Sequence, residues 1–415
     1  MIRHLARTGA VLTLASLLLT ACSGNRQTPA EPPAEQHPVF GKELGLQVFH
    51  ALRRTQKAGG AEFVQTMTFT SSKGRAVQTL RGRMDFPQGT GEATLTWRLS
   101  KGLPRKTKDA LLGATAGKSN ASPSARFLVD PQRIHYRAGS AGYWLRYTTG
   151  NTGPELGIDG IDHLRGSGGP VGGTLLEGLG ATEATSRRTD GSRHTYAAEM
   201  PAGAGWNLFP EDLGNELSLP SPGDSPGKSA PLPTTVSVDG RGHITHVRTD
   251  LSTTLGKKGS AFEDMTSLTI DLRLSGHGAS RPAAKPGGSV RPAEEAVRSV
   301  DSVKPGGCID FDTGQRVVST AVEVPCSAPH DGRIFAQEAL GTGPYPGEKA
   351  TRKKAEAACR AAHDTAPAAW LSEAGQAGDY WYMWSNPGAW TQGGGHISCY
   401  VVTAKGAGPS SDGSP

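Results

Sequence analysis

From Phe63 to Leu274 the chain repeatedly alternates apolar and polar residues with a period of two. Phe63, Met67 and Phe69 alternate with Val64, Thr66 and Thr68, and Leu80, Met84 and Phe86 with Arg81, Arg83 and Asp85. Ala93, Leu95, Trp97 and Leu99 alternate with Thr94, Thr96 and Arg98, and Leu268, Ile270, Leu272 and Leu274 with Thr269, Asp271 and Arg273. Successive side chains of a strand point to opposite faces, so this pattern specifies a largely antiparallel sheet with one apolar and one wet side. Val236 and Val238 run into Asp239-Gly240, a hairpin signal. The apolar side must be covered: the sheet curves around helices of its own, or it leaves a cavity for an apolar ligand.

Helices are few. Leu44, Val48, Ala51 and Leu52 make one apolar stripe that Gly59-Gly60 ends, and residues 175–179 and 209–217 read as short helices. The expected class is therefore α+β, a curved antiparallel sheet with covering helices. Gly and Pro number 56 and 29, a loop-rich composition. Residues 275–303, rich in Gly, Pro, Ala and Ser, read as a linker between bodies at 39–274 and 304–405, with a polar tail at 406–415.

The first 22 residues hold three zones: basic Arg3 and Arg7, the apolar run 10–19, and Leu19-Thr20-Ala21-Cys22. The run is far short of the roughly 20 residues that span a bilayer, and the order is that of a secretory signal. Leu19 to Cys22 resembles the lipobox of bacterial lipoproteins. That resemblance implies removal of residues 1–21, a lipid on Cys22, and attachment to the extracytoplasmic face of the cell membrane. Residues 22–38, with Pro29, Pro32 and Pro33, read as a disordered tether. Without residues 1–21 the net charge falls from +6 to +4, too mild to argue for nucleic acid.

The sheet body also resembles a family. The opening helix before residues 63–69, the run 174–200 with Leu175, Leu176, Leu179, Asp190-Gly191 and Tyr196, and the 236–251 hairpin are similar to the LppX/LprG and LolA-like lipoproteins. The resemblance implies an open half-barrel with an apolar cavity for a lipid. Phe63, Met67, Phe69, Leu95, Trp97 and Leu268 are the candidate lining residues. The stretches 102–124 and 220–233 are insertions in that frame.

Apart from Cys22, the cysteines stand at 308, 326, 359 and 399, an even set in one region of an exported chain. Such a set implies two disulfides with three pairings open, and the absence of any C-x-x-C pair argues against zinc. Gly307-Cys308, the string Val322-Glu323-Val324-Pro325-Cys326-Ser327-Ala328-Pro329-His330-Asp331, and Ser398-Cys399 resemble the septum-formation domain of actinobacterial envelope proteins. That resemblance, with chain order, favours Cys308 with Cys326 and Cys359 with Cys399 in a small α+β domain.

Catalytic signatures are missing. No G-x-S-x-G, H-E-x-x-H, P-loop or EF-hand string occurs, and Ser225 to Lys228 fits S-x-x-K only in a Pro/Gly loop. The glycines at 166, 168, 169, 172 and 173 follow no strand of a βαβ unit. His330 beside Asp331 suggests a base and its orienter, but the flanking Pro329 and Gly332 make a turn, and a hydrogen bond from His330 to backbone is the expected role. Tyr380, Tyr382 and Trp384 share one strand face, which suits either core or a partner-binding patch, and with His330 they are the candidate partner-binding residues. No enzyme activity, cofactor or metal is expected. The leading expectation is a lipid-binding lipoprotein; the rival is an envelope protein whose C-terminal domain docks onto cell-wall or division partners.

Overall fold

The computed structural model describes residues 37–112, 124–139, 141–148, 174–206, 208–209, 211–220, 229–278, 282–314, 320–374, 380–385 and 387–403. Cys22, the tether as far as residue 36, the 166–173 glycines, Ser225 to Lys228 and the 406–415 tail lie outside them, as do parts of both insertions; Pro38, expected in the tether, already belongs to a 3₁₀ turn. No helix among the described residues is long and apolar enough to cross a membrane.

After a short 3₁₀ turn, helix α1 (Leu44–Lys57) runs into β1 (Gly60–Ser71). Gly59, at φ 98°, makes the reversal between them, a conformation that costs other residues energy. β2 (Gly74–Asp85), β3 (Thr90–Leu99), α2 (Arg105–Leu112), β4 (Ser124–Asp130), β5 (Arg133–Ala138) and β6 (Tyr143–Thr148) follow. Next come α3 (Thr174–Gly178), β7 (Glu183–Asp190), β8 (Arg193–Met200), α4 (Ala202–Trp206), α5 (Glu211–Glu216), β9 (Leu232–Val238), β10 (Ile244–Asp250) and β11 (Met265–Ser275). With β12 (Ser289–Pro292) they form one open sheet of order β12-β6-β5-β4-β3-β2-β1-β11-β10-β9-β8-β7. Each neighbour is antiparallel except β12, which joins β6 in parallel.

One face of this sheet is apolar and buried, and the fold is the α+β class that the alternation implies. In β1, residues 61, 63, 65, 67, 69 and 71 are buried while 64, 66, 68 and 70 are half-exposed. Helix α1 packs Val48, Ala51 and Leu52 inward, and the short α3, α4 and α5 add Leu175, Leu176, Ala202 and Leu213. The expected helices at 175–179 and 209–217 thus appear as α3 with a following 3₁₀ turn and as α5. The hairpin joins β9 to β10, where Asp239 Oδ1 accepts from the Arg241 and His243 amides.

The stretch expected as a linker differs. β12, α6 (Ala293–Ala296) and β13 (Val297–Ser299) occupy its second half, so the chain passes from one sheet directly into the next. The second sheet has the order β13-β15-β14-β16-β18-β17, built from β14 (Cys308–Asp310), β15 (Thr320–Val324), β16 (Gly332–Gly341), β17 (Trp381–Trp384) and β18 (Gly395–Val402). Helices α7 (Glu348–Thr365), α8 (Ala368–Leu371) and α9 (Pro387–Gly393) complete it. Disulfides join Cys308 to Cys326 and Cys359 to Cys399. The apolar core of the first sheet continues through Ala293, Ala296 and Val297 to Cys308, Val322 and Val324. A Gly/Pro composition hides this junction because its strand is only four residues long and its partner β6 lies far away in sequence.

Candidate functional site

The six candidate lining residues converge on the buried face. Phe69 stands opposite Leu268 across β1 and β11, and Met67 opposite Ile270. Leu80 faces Leu95, and Gln78 faces Trp97, across β2 and β3. Phe69 stacks on Phe262 with ring centroids 5.2 Å apart. None of the six is more than 9% exposed, so they sit in packed interior beneath the helical cover.

Two glutamines interrupt this apolar interior. Gln78 and Gln65 are both buried, and Gln65 lies between Leu80 and Leu272. Among the described residues its Oε1 finds no donor, although the residue is only 5% exposed. A buried acceptor left without a donor costs about 1–3 kcal/mol, and most native proteins avoid it. The alternation of β1 carries Gln65 onto the apolar face with Phe63 and Met67, but whether its side chain finds a donor depends on neighbours that alternation does not specify.

The cover over the α1 end is held by specific bonds. Gln47 donates to the Lys42 carbonyl at 2.6 Å and accepts from the Tyr196 hydroxyl at 2.9 Å and from Arg187 at 3.0 Å. Thr55 Oγ1 accepts from the Ile244 amide. His194 stacks on Phe40, with ring centroids 3.8 Å apart. Burial lowers the pKa of His194 and of His243, the latter against the raising influence of Asp239. In contrast, the short α3, α4 and α5 have five, five and six residues, below the length at which isolated helices hold themselves.

A groove of about 650 Å³ crosses the wet side of the sheet. Glu62, Arg81, Arg193, His246 and Arg273 line it. The charges are mixed: Asp271 beside it pairs with His246 at 2.7 Å and with Arg273 at 3.3 Å. It does not single out an anionic ligand. Of the candidate lining residues it touches only Phe63.

The two sheets meet at a polar seam. Tyr143 donates to Asp310 at 2.8 Å, and Tyr147 donates to the Thr313 carbonyl at 2.6 Å. Arg291 of β12 lies over the Tyr143 ring at 5.3 Å and donates to the Glu323 carbonyl. Burial first, then Asp310, pushes the Tyr143 pKa far upward; burial does the same to Tyr147.

In the C-terminal sheet His330 is 8% exposed at its side chain. Its Nδ1 lies 2.8 Å from the Ala328 carbonyl and its Nε2 3.2 Å from Glu373, which also holds Arg333 at 2.6 Å. Both ring nitrogens are therefore engaged in local structure, beside the Cys326 turn. Tyr380, Tyr382 and Trp384 share the other layer. They pack half-buried near Cys359, Ile397 and Cys399, with Tyr380 against His363 at 5.3 Å. His330 thus belongs to a different set of contacts from the three aromatics. β17, which carries two of them, is an edge strand.

Residues 279–405 match the family described as septum formation. No curated protein sequence matches the chain. Among solved structures, the Mycobacterium tuberculosis lipoprotein LppX is similar at 12% identity and a TM-score of 0.27, covering 57% of this chain and 98% of its own. A putative outer membrane lipoprotein-sorting protein domain from Vibrio parahaemolyticus gives 8% identity and a TM-score of 0.22, over 56% and 90%. The MucA/MucB complex of Pseudomonas aeruginosa gives 10% and 0.23, over 86% and 93%.

Proposed function

We propose that this chain is an extracytoplasmic lipoprotein, anchored to the cell membrane through lipid on Cys22, that binds an apolar ligand between its sheet and its helical cover. The ligand has an acyl body and at least one hydrogen-bond donor. The observation that carries this reading is Gln65 Oε1, an unpaired acceptor at the centre of a wide apolar face. A hydroxyl or amide of the ligand would supply the missing donor, while acyl methylenes contribute about 0.8 kcal/mol each on burial. Entry would occur by displacement of the short helices α3 to α5, the part of the cover with the least helical length of its own.

Native mass spectrometry on residues 23–415, made in an oxidising compartment, tests this. A bound mass of several hundred daltons or more, lost on organic extraction, is the expected result. A clean apo mass from protein made in its native envelope sinks it.

A second reading has its own support in the septum-formation match over residues 279–405. Here the C-terminal domain docks onto cell-wall or division proteins, and the edge strand β17 presents Tyr382 and Trp384 to them. Tyr382→Ala with Trp384→Ala separates the two. Under this reading septum placement fails in the cells that make the protein, while cargo occupancy is unchanged; normal septa would exclude it.

A further inference from the structure

Leu46 and Phe49 are the exposed large hydrophobic residues among the described residues, at 49% and 38%. Both lie on α1, three positions apart, on the side turned away from Val48, Ala51 and Leu52. Helix geometry places residues 46, 49, 53 and 57 within about 80° of one another. The stripe therefore reads Leu46, Phe49, Arg53, Lys57, with exposed Lys42 at its foot and exposed Arg54 beside it. Glu43 at the start of the helix is the one acid on α1 and its cap. Arg54 also reaches the carbonyl of exposed Arg241.

Nothing about folding requires this stripe. The inward side of α1 is fixed by Gln47 and Thr55, whose partners lie in β7, β8 and β10, so the outward side is presented by a helix held in place. An apolar pair ringed by cations is what a helix needs to lie in the headgroup region of a bilayer. The apolar side chains enter the acyl boundary, and lysine and arginine stems extend to phosphate.

We infer that the outward stripe of α1 is a membrane-contact surface, which lays the body against anionic phospholipid headgroups. The chain itself argues for that occupant. Cys22 precedes His37, the first described residue, by only 15 positions, and α1 follows within one more turn of chain. Fifteen residues reach at most about 50 Å even when fully extended. A lipid on Cys22 would keep α1 close to the bilayer throughout, and the inference rests on the anchored reading for this reach alone. Charge complementarity and the exposed pair stand without it.

The test uses residues 23–415, which retain every described element and carry no acyl chain. Their partition onto vesicles of equal phosphatidylcholine and phosphatidylglycerol is compared with that of two variants by co-sedimentation. Leu46→Ser with Phe49→Ser is expected to lower the partition coefficient about tenfold or more. Lys42→Gln, Arg53→Gln and Lys57→Gln together lower it by a similar factor and abolish the preference over pure phosphatidylcholine. Thermal melts of both variants should match the parent, since no changed side chain is buried. The inference is overturned if residues 23–415 ignore anionic vesicles, or if the serine variant binds as well as the parent. Incorporation of labelled palmitate at Cys22 in the full chain is scored separately, so a failure of the anchor leaves the vesicle result untouched.

Discussion

Tyr143 donates its phenol hydrogen to Asp310 at 2.8 Å, joining residues 167 positions apart that belong to two different sheets. The bond sits where β12 has already stitched the C-terminal body onto β6, so the two bodies share one core and one polar seam. Tyr143→Phe removes the donor and keeps the ring under Arg291. The expected cost is about 1.5–3 kcal/mol, the range for hydrogen bonds to a charged partner. Chemical denaturation should show one transition in which the near-ultraviolet signals of both bodies are lost together. Two separated transitions in the parent protein would contradict a shared core.

Gln65→Leu should act in opposite directions on the empty and loaded protein. Replacing a buried amide whose oxygen is unpaired with an apolar side chain of similar size is expected to stabilise the apo form by about 1 kcal/mol. Cargo occupancy in native mass spectra should fall at the same time. A variant that melts lower and keeps its cargo would show that Gln65 has a structural partner instead.

Acidification should weaken the α1 end of the sheet. Burial lowers the pKa of His194 and of His243, so the folded state favours the neutral ring. The unfolded chain takes up protons near the ordinary value of about 6.5. The stability is therefore present above that pH and is lost as pH falls toward the lower folded-state values. The melting temperature should hold between about pH 8 and 7 and drop between about pH 6.5 and 5.5. Phenylalanine at both positions should flatten the drop; an equal slope in parent and variant would rule these rings out as its source.

The disulfides should differ in worth. Cys359 and Cys399 enclose 40 positions and Cys308 and Cys326 enclose 18. Loop-closure entropy assigns them about 4 and about 3 kcal/mol respectively. Alanine pairs at each bridge, compared by urea midpoint, should fall in that order. The reverse order would mean that burial of Cys308 at the seam outweighs chain entropy.

Much of this was written in the alternation. Phe63, Met67, Phe69, Leu95, Trp97 and Leu268 do lie on one face, because a period of two leaves a strand no other choice once one side is apolar. Whether that face holds a cavity or closed packing was not legible, since it depends on how short helices settle on it. Two places broke the pattern. Phe127, Leu128 and Val129 are all buried, as are Trp144 and Leu145. Trp144 points to the wet side yet donates to the Gly287 carbonyl and lies under Arg126 and Arg137. At Trp144 the consecutive apolar residues were the sign that chain from the supposed linker crosses to cover them. His330 behaved as its turn context implied, bonding backbone, but its second bond to Glu373 came from 43 positions away.

The position of β1 also sets an order of events. One side of this strand pairs with β2 as soon as the hairpin exists, but its other side waits for β11, where Glu62 meets Ser275 and Phe69 meets Leu268. If the chain leaves the cell from its N-terminus, β1 spends most of its export with a bare row of amides and carbonyls beside Phe63, Met67 and Phe69. Such an edge is a template for stray pairing. Assembly of this protein would then be limited by how long that edge stays open, and a holdase outside the membrane would improve its yield more than any gain in final stability.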